Sequence, residues 1–263
     1  LFMKKITFLA VTFAVIVATG NFVAVAETIP NPLANKIIAL DAGHGSTDSD
    51  FGAQYPAGCA DDGNTTDCLI YEKDVNLAVV NALESKLTVL GAKVVIAERF
   101  STRRGRVNDA VAKCAAFDLN NDGIGDKCNV LVSVHHNGSN DQTHDGTLTI
   151  YTQKSDKPLA QSLLTALTPL TTKSEGMLNG GYGMTVYKNL VSAITEAYYI
   201  TNDCEAELYL HSKDSLTYPD ISQQCKDSGY SLENRIDREA QLQVDGLSNY
   251  FASQSSGGGG KPR

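Results

Sequence analysis

The sequence predicts an α/β fold: a single layered domain with a mostly parallel central sheet and helices on both faces. Two patterns point there. Short apolar runs that stop at Gly-rich or polar loops alternate with longer segments whose apolar residues recur at helical spacing, as expected of strand–helix units around a parallel sheet. The composition allows a sizeable core, since 42% of the 263 residues are hydrophobic and 20% are charged. Such a balance excludes disordered, collagen-like and coiled-coil chains.

Residues 1–26 come first and stand apart. Lys4 and Lys5 precede an uncharged apolar stretch that ends in Ala24-Val25-Ala26, with Glu27 after it. A basic start, an apolar centre and a small-residue A-x-A step form an export signal, cleaved before Glu27. Leu1 and Phe2 lie ahead of Met3 and are read as artefactual. Loss of residues 1–26 removes two lysines and no acid, which moves the net charge from −8 to −10. A general nucleic-acid binder, which needs a basic footprint, is excluded. No stable membrane insertion is expected after cleavage, and the expected location is periplasmic or secreted, as a monomer.

The domain is expected over residues 36–253. Lys36 to Leu40 is a buried strand that runs into Asp41-Ala42-Gly43-His44-Gly45. Residues 46–70 are polar and Gly-rich and read as a surface loop. From Glu72 to Leu90, Val75, Val79, Leu83, Leu87 and Leu90 share one helical face, and Gly91 stops the helix. Ala92 to Ala97 is a strand, Thr102 to Phe117 a helix, and Asn129 to Val134 a strand that ends at His135-His136-Asn137. Thr147 to Thr152 alternates as a strand, and Pro158 to Leu170 is helical. Leu190 to Thr195 is a strand followed at once by Glu196, and Ser231 to Phe251 is the last helix. Residues 254–263 form a Ser/Gly-rich flexible tail.

Ligands of open α/β sheets bind beyond the carboxyl ends of the strands. Here those ends deliver His44, His135 with His136, and Glu196. A catalytic zinc site takes three His or carboxylate ligands plus a water, with a carboxylate base beside the water. His44, Glu72 and His135 are the candidate ligands and Glu196 the candidate base. Neighbouring strand residues point to opposite sides, so only one of His135 and His136 can face the metal. Neither an HExxH helix nor a G-x-S-x-G elbow is present.

These residues stand in motifs that resemble a known family. Ile38-Ala-Leu-Asp-Ala-Gly-His44-Gly45, Tyr71-Glu72-Lys-Asp-Val-Asn76-Leu77, Ser101-Thr-Arg103, Val132-Ser-Val-His135-His-Asn137 and Ile194-Thr-Glu196 are similar, in order, to motifs of zinc-dependent N-acetylmuramoyl-L-alanine amidases, the amidase-3 family. Ala240 to Phe251 is similar to that family's closing helix. The resemblance implies one zinc ion on His44, Glu72 and His135, with Glu196 as catalytic glutamate. It implies hydrolysis of the bond between N-acetylmuramic acid and L-alanine in peptidoglycan. The family register selects His135 over His136, and Asp41 and Asn137 are expected to orient ligands. Ala197-Tyr198 departs from the family's usual step after the glutamate. A peptidase acting on the stem peptide and a non-catalytic wall-binding module are the competing classes.

Six cysteines in an exported chain imply disulfides. Neighbouring pairs, 59–68, 114–128 and 204–225, are expected, the outer two within insertions (46–70 and 203–230) that flank the cleft. Between the middle pair, Asp118, Asn120, Asp122 and Asp126 occupy positions 1, 3, 5 and 9 of a calcium-type loop, with Gly123 at position 6 and the Ile124 carbonyl at position 7. Position 12 is Asn129 rather than Glu. A structural Ca²⁺ is the expectation there, against an ordinary Asn/Asp/Gly surface turn.

Overall fold

The computed structural model describes residues 31–59, 65–171, 173–187 and 189–256. The expected export signal and the end of the tail lie outside the described residues.

In chain order the elements are β1 (Ile37–Ala42), β2 (Gln54–Tyr55), β3 (Ile70–Tyr71), α1 (Glu72–Val89), β4 (Lys93–Ile96), α2 (Arg103–Cys114), β5 (Val130–Asn137), β6 (Thr147–Tyr151), α3 (Lys157–Leu167), β7 (Ser174–Asn179), β8 (Ser192–Tyr199), α4 (Asp203–Lys213), α5 (Gln223–Asp227) and α6 (Arg235–Ser256). Six strands form one sheet in the order β4-β1-β5-β8-β6-β7. β4, β1, β5 and β8 run parallel, and the β6–β7 pair runs against them. The predicted class, a mostly parallel sheet with helices on both faces, is the observed one.

Strand alternation divides the core. Ile38, Leu40, Val130, Val132 and Val134 pack against α1, α3 and α6. Ile37, Ala39, Leu131 and Ile194 turn to the other face and pack against α2. The parity continues to the strand ends. His135 and Glu196 fall on the α2 face, and His136 falls on the α1/α6 face.

Several boundaries move. β5 runs on through His135, His136 and Asn137, and β8 runs through Glu196 to Tyr199. The polar residues at these ends are buried or half-buried yet keep to the ladder. β7 and α4 carry no sequence signal. β7 is an edge strand without a buried residue. In α4 the buried residues Cys204, Glu205, Ala206, Leu208, Tyr209 and Leu210 leave no single apolar stripe, although Asn202 caps the helix by accepting from the amides of Cys204 and Glu205. Residues 203–213 are therefore part of the core, and residues 203–230 do not line the cleft described below. α6 starts at Arg235, four residues later than expected, and reaches Ser256, past the expected start of the tail.

The three disulfides are those expected: Cys59–Cys68, Cys114–Cys128 and Cys204–Cys225.

Candidate metal centre and cleft

Glu72 is the first residue of α1, where the helix N-terminus favours a carboxylate. The segment 51–53 docks onto this turn from both sides. The carbonyls of Phe51 and Ala53 accept from the amides of Lys73 (3.0 Å) and Glu72 (2.9 Å), and the amide of Ala53 donates to Glu72 Oε2 at 2.8 Å. Gly52 makes the docking possible. Its φ is +70°, and a Cβ there would lie 2.2 Å from Glu72 Oε2. On the other carboxylate oxygen, Oε1, the His136 amide donates at 3.2 Å and Asn76 Nδ2 at 3.2 Å.

Two imidazoles meet this carboxylate. His44 Nε2 lies 3.2 Å from Glu72 Oε2, and His135 Nδ1 lies 2.9 Å from Oε1. One donor atom from each of His44, Glu72 and His135 falls within 4.8 Å of the others, and among the described residues no other such group exists. His44 adopts left-handed backbone, φ 61°, a conformation rare outside glycine. Arg99 holds it there by donating from Nε to the His44 carbonyl at 3.0 Å and from Nη2 to the Lys73 carbonyl at 2.8 Å. The other side of the His44 ring binds Asp50 through Nδ1 at 2.9 Å. That contact fixes the ring with Nε2 facing the centre. Gly43 allows His135 to close in, since a Cβ at Gly43 would sit 2.3 Å from the His135 ring.

Burial opposes a charge on His44, but Glu72 and Asp50 outweigh it and raise its pKa to about 9. The same balance raises His135, with Glu72 as the dominant favourable partner. Glu72 is buried, which works against its charge, yet the two imidazoles hold it well below the usual carboxylate range. Two imidazole nitrogens and one carboxylate oxygen thus converge on one point. This donor set fits zinc.

Glu196 pairs with His135 across the β5–β8 ladder. No described residue gives its carboxyl a hydrogen bond or ion pair. Burial, only partly offset by His135, pushes its pKa up to about 7. It lines a cleft of about 730 Å³ together with His44, His135, Arg103, Arg104 and Tyr187.

His136 does the opposite job. It is buried on the far face, where it bridges Asn76 Oδ1 (2.7 Å) and Glu239 Oε2 (2.8 Å). Asn76 in turn donates to the Gly43 carbonyl at 2.9 Å and to Glu72. Gln243 donates to the other Glu239 oxygen at 2.9 Å. The Asn76–His136–Glu239 chain, unassigned by sequence reasoning, is what braces Glu72. Tyr198 belongs to it too. Because His135 pairs with Glu196 and Asn137 with Tyr199, β8 carries one residue more than β5. This bulge sends Tyr198 away from the cleft and onto His136, with ring centroids 4.4 Å apart. The departure at Ala197-Tyr198 thus alters the core behind the site, not the cleft wall.

Asp41 and Asn137, expected to orient ligands, form no hydrogen bond or ion pair with any of the three. Asp41 accepts from Ser133 Oγ at 2.6 Å and lies 3.1 Å from Arg106 Nη1, tying β1 to β5 and α2. Asn137 accepts from the Gly138 amide. The acidic loop is held by its own side chains. Asp118 accepts from the amides of Asp122 (3.1 Å) and Gly123 (2.9 Å), Asp122 from Ile124 (2.8 Å), and Asp126 from Leu119 (2.7 Å). Its carboxylates satisfy the loop's own backbone, and the calcium expectation gains no support from this geometry.

The family model for N-acetylmuramoyl-L-alanine amidase matches residues 38–218, more than half of the chain. The chain belongs to this amidase family. The match contains His44, Glu72, His135 and Glu196; Glu239 falls beyond it. The amidase LytC of Bacillus subtilis (strain 168) is 27% identical over 190 residues, which is 69% of this chain and 33% of that protein, so the chain spans about a third of LytC. The catalytic domain of CwlV, an amidase of Bacillus (Paenibacillus) polymyxa var. colistinus, is similar with TM-score 0.55 and 25% identity, over 82% of this chain and 98% of that one. An N-acetylmuramoyl-L-alanine amidase of Clostridium difficile 630 shares the fold with TM-score 0.59 at 20% identity, over 84% and 98% of the two chains.

Proposed function

We propose that the chain is an exported, monomeric zinc amidase of bacterial peptidoglycan. It hydrolyses the amide between the lactyl group of N-acetylmuramic acid and L-alanine of the stem peptide. His44, Glu72 and His135 hold the zinc, and Glu196 is the catalytic residue. The observation that carries this reading is the convergence of three metal-competent side chains beside an unpaired, half-buried carboxyl, within the span matched by the amidase family.

Zinc, when bound, supplies a Lewis acid that lowers the pKa of water to about 7 and polarises the lactyl carbonyl. Glu196, with a pKa of about 7, takes the proton of the attacking water. It returns that proton to the alanine nitrogen as the C–N bond breaks. Asp50 and Asn76 keep His44 and Glu72 in place throughout. As ligands, His44 and His135 would have to be neutral.

Purified sacculi treated with the wild type and with Glu196→Ala provide the test. The wild type releases stem peptides with a free amino group on L-alanine, and the variant does not. New cuts between peptide residues would make the chain a peptidase. Undiminished hydrolysis by the variant would refute the role of Glu196.

A further inference from the structure

The cleft has two unlike ends. Its acids, Asp50 and Glu196, belong to the metal end, where Asp50 is bonded to His44 and Glu196 stands across from His135. The facing wall comes from the first turn of α2 and from residues 182–187, and it is cationic and aromatic. Arg103 and Arg104 both project from it.

The neighbouring arginines have partners within the fold. Arg99 donates to the carbonyls of His44 and Lys73, and Arg106 sits against Asp41 and donates to Ala42. Arg103 and Arg104 receive neither a hydrogen bond nor an ion pair from any described residue. They do so in a chain with 30 acids against 22 lysines and arginines, where a partner would be easy to supply. Packing holds them instead. The Arg104 guanidinium lies over the Tyr187 ring at 5.3 Å. The Arg103 stem crosses Gly183, where a Cβ would lie 2.3 Å from Arg103 Cδ. Stems pinned in this way leave two guanidinium forks ready for a ligand, with less side-chain freedom to lose on binding.

We propose that Arg103 and Arg104 form a subsite for a free carboxylate of the stem peptide. This inference rests on the amidase reading and names the part of the substrate that the cleft selects. The glycan side of the scissile bond offers no anion, because the muramic acid carboxyl is itself consumed in the amide. Charge near the bond therefore comes from the peptide. Where the second stem residue passes the chain on through its side-chain carboxyl, its α-carboxylate stays free, and at roughly 3.3–3.6 Å per extended residue it lies about 7 Å from the cleaved amide. Glu196 and both arginines line the same cleft. A guanidinium binds a carboxylate through two parallel N–H donors, whereas a carboxamide offers a single neutral acceptor.

The test uses two muramoyl tripeptides whose second residue, a glutamate linked onward through its γ-carboxyl, carries either a free α-carboxylate or an α-carboxamide. The zinc-loaded wild type is expected to favour the carboxylate by about tenfold in kcat/KM, with the difference in KM. Arg103→Gln/Arg104→Gln should bring the ratio close to 1, and Arg103→Lys/Arg104→Lys should retain part of it. Equal cleavage of the two substrates by the wild type, or an unchanged ratio in the glutamine variant, overturns the subsite while leaving the amidase reading intact. Release of alanine amino groups from neither substrate overturns the amidase reading, and the subsite with it.

Discussion

The buried His44–Glu72–His135 centre and the exposed Asp118–Asp126 loop both look like metal sites in sequence. In the first, the donors come from three separate elements, and their shared neighbours aim them at one point. Glu72 takes amides from Ala53 and His136, and Asp50 takes the outer nitrogen of His44. In the second, the donors lie within nine consecutive residues, and each carboxylate closes its own turn. Glu72 also accepts amides, so the difference is convergence: among the described residues no three acidic side chains of the loop bring ligand atoms within 4.8 Å of one another, as His44, Glu72 and His135 do. A site needs donors whose remaining hydrogen bonds point the same way and whose free atoms have nowhere else to go.

The sharpest way to break this contrast is to remove parts of the centre. Glu72→Ala should lose both the metal and hydrolysis, the latter by about three orders of magnitude or more. Glu196→Ala should lose about 10²–10⁴-fold in kcat and keep its metal. Elemental analysis beside turnover separates the two, and a metal-free Glu196→Ala would place that residue among the ligands. Next in size is the brace. Asn76→Ala should weaken metal affinity about 10–100-fold, read by competition with a chelating dye. No loss of affinity would mean that the Asn76–His136 chain serves the core alone. The pH profile follows. A base must be deprotonated, so kcat/KM should rise with pH through an acid limb at or below about 7, the value for Glu196, since a bound cation can only lower it. Glu196→Gln should remove that limb. Smallest of all is the acidic loop. Millimolar Ca²⁺ should move the melting temperature by less than about 1 °C, and a rise of several degrees would reinstate it as a calcium site.

How much of this was legible in the sequence depends on where the signal resides. Val75, Val79, Leu83 and Leu87 announced α1, and parity along Val130–Asn137 already required His135 and His136 to part company. Three of the four chemical residues, His44, His135 and Glu196, were visible because parallel strands end on one side of the sheet, and Glu72 was visible through its motif at the start of α1. What stayed hidden was conveyed by tertiary contact. Residues 46–70 read as a surface loop, yet Ala53 gives its amide to Glu72. The strands continued past their apolar runs because His135 and Glu196 remain paired in the ladder, a fact that hydropathy cannot register. β7 has no buried residue to mark it, and α4 is buried on too many sides to show a stripe.

The brace behind the metal centre also has a consequence in time. Chains are made from the N-terminus, and domains settle as their parts emerge. Glu239, which holds His136 from α6, and Gln243, which holds Glu239, are the last residues of the network to be synthesised. A nascent chain halted after residue 218 would carry all four chemical side chains and every residue of the family match, but not the carboxylate on which His136 rests. Completion of the final helix, rather than the appearance of the catalytic residues, is the step that finishes the site.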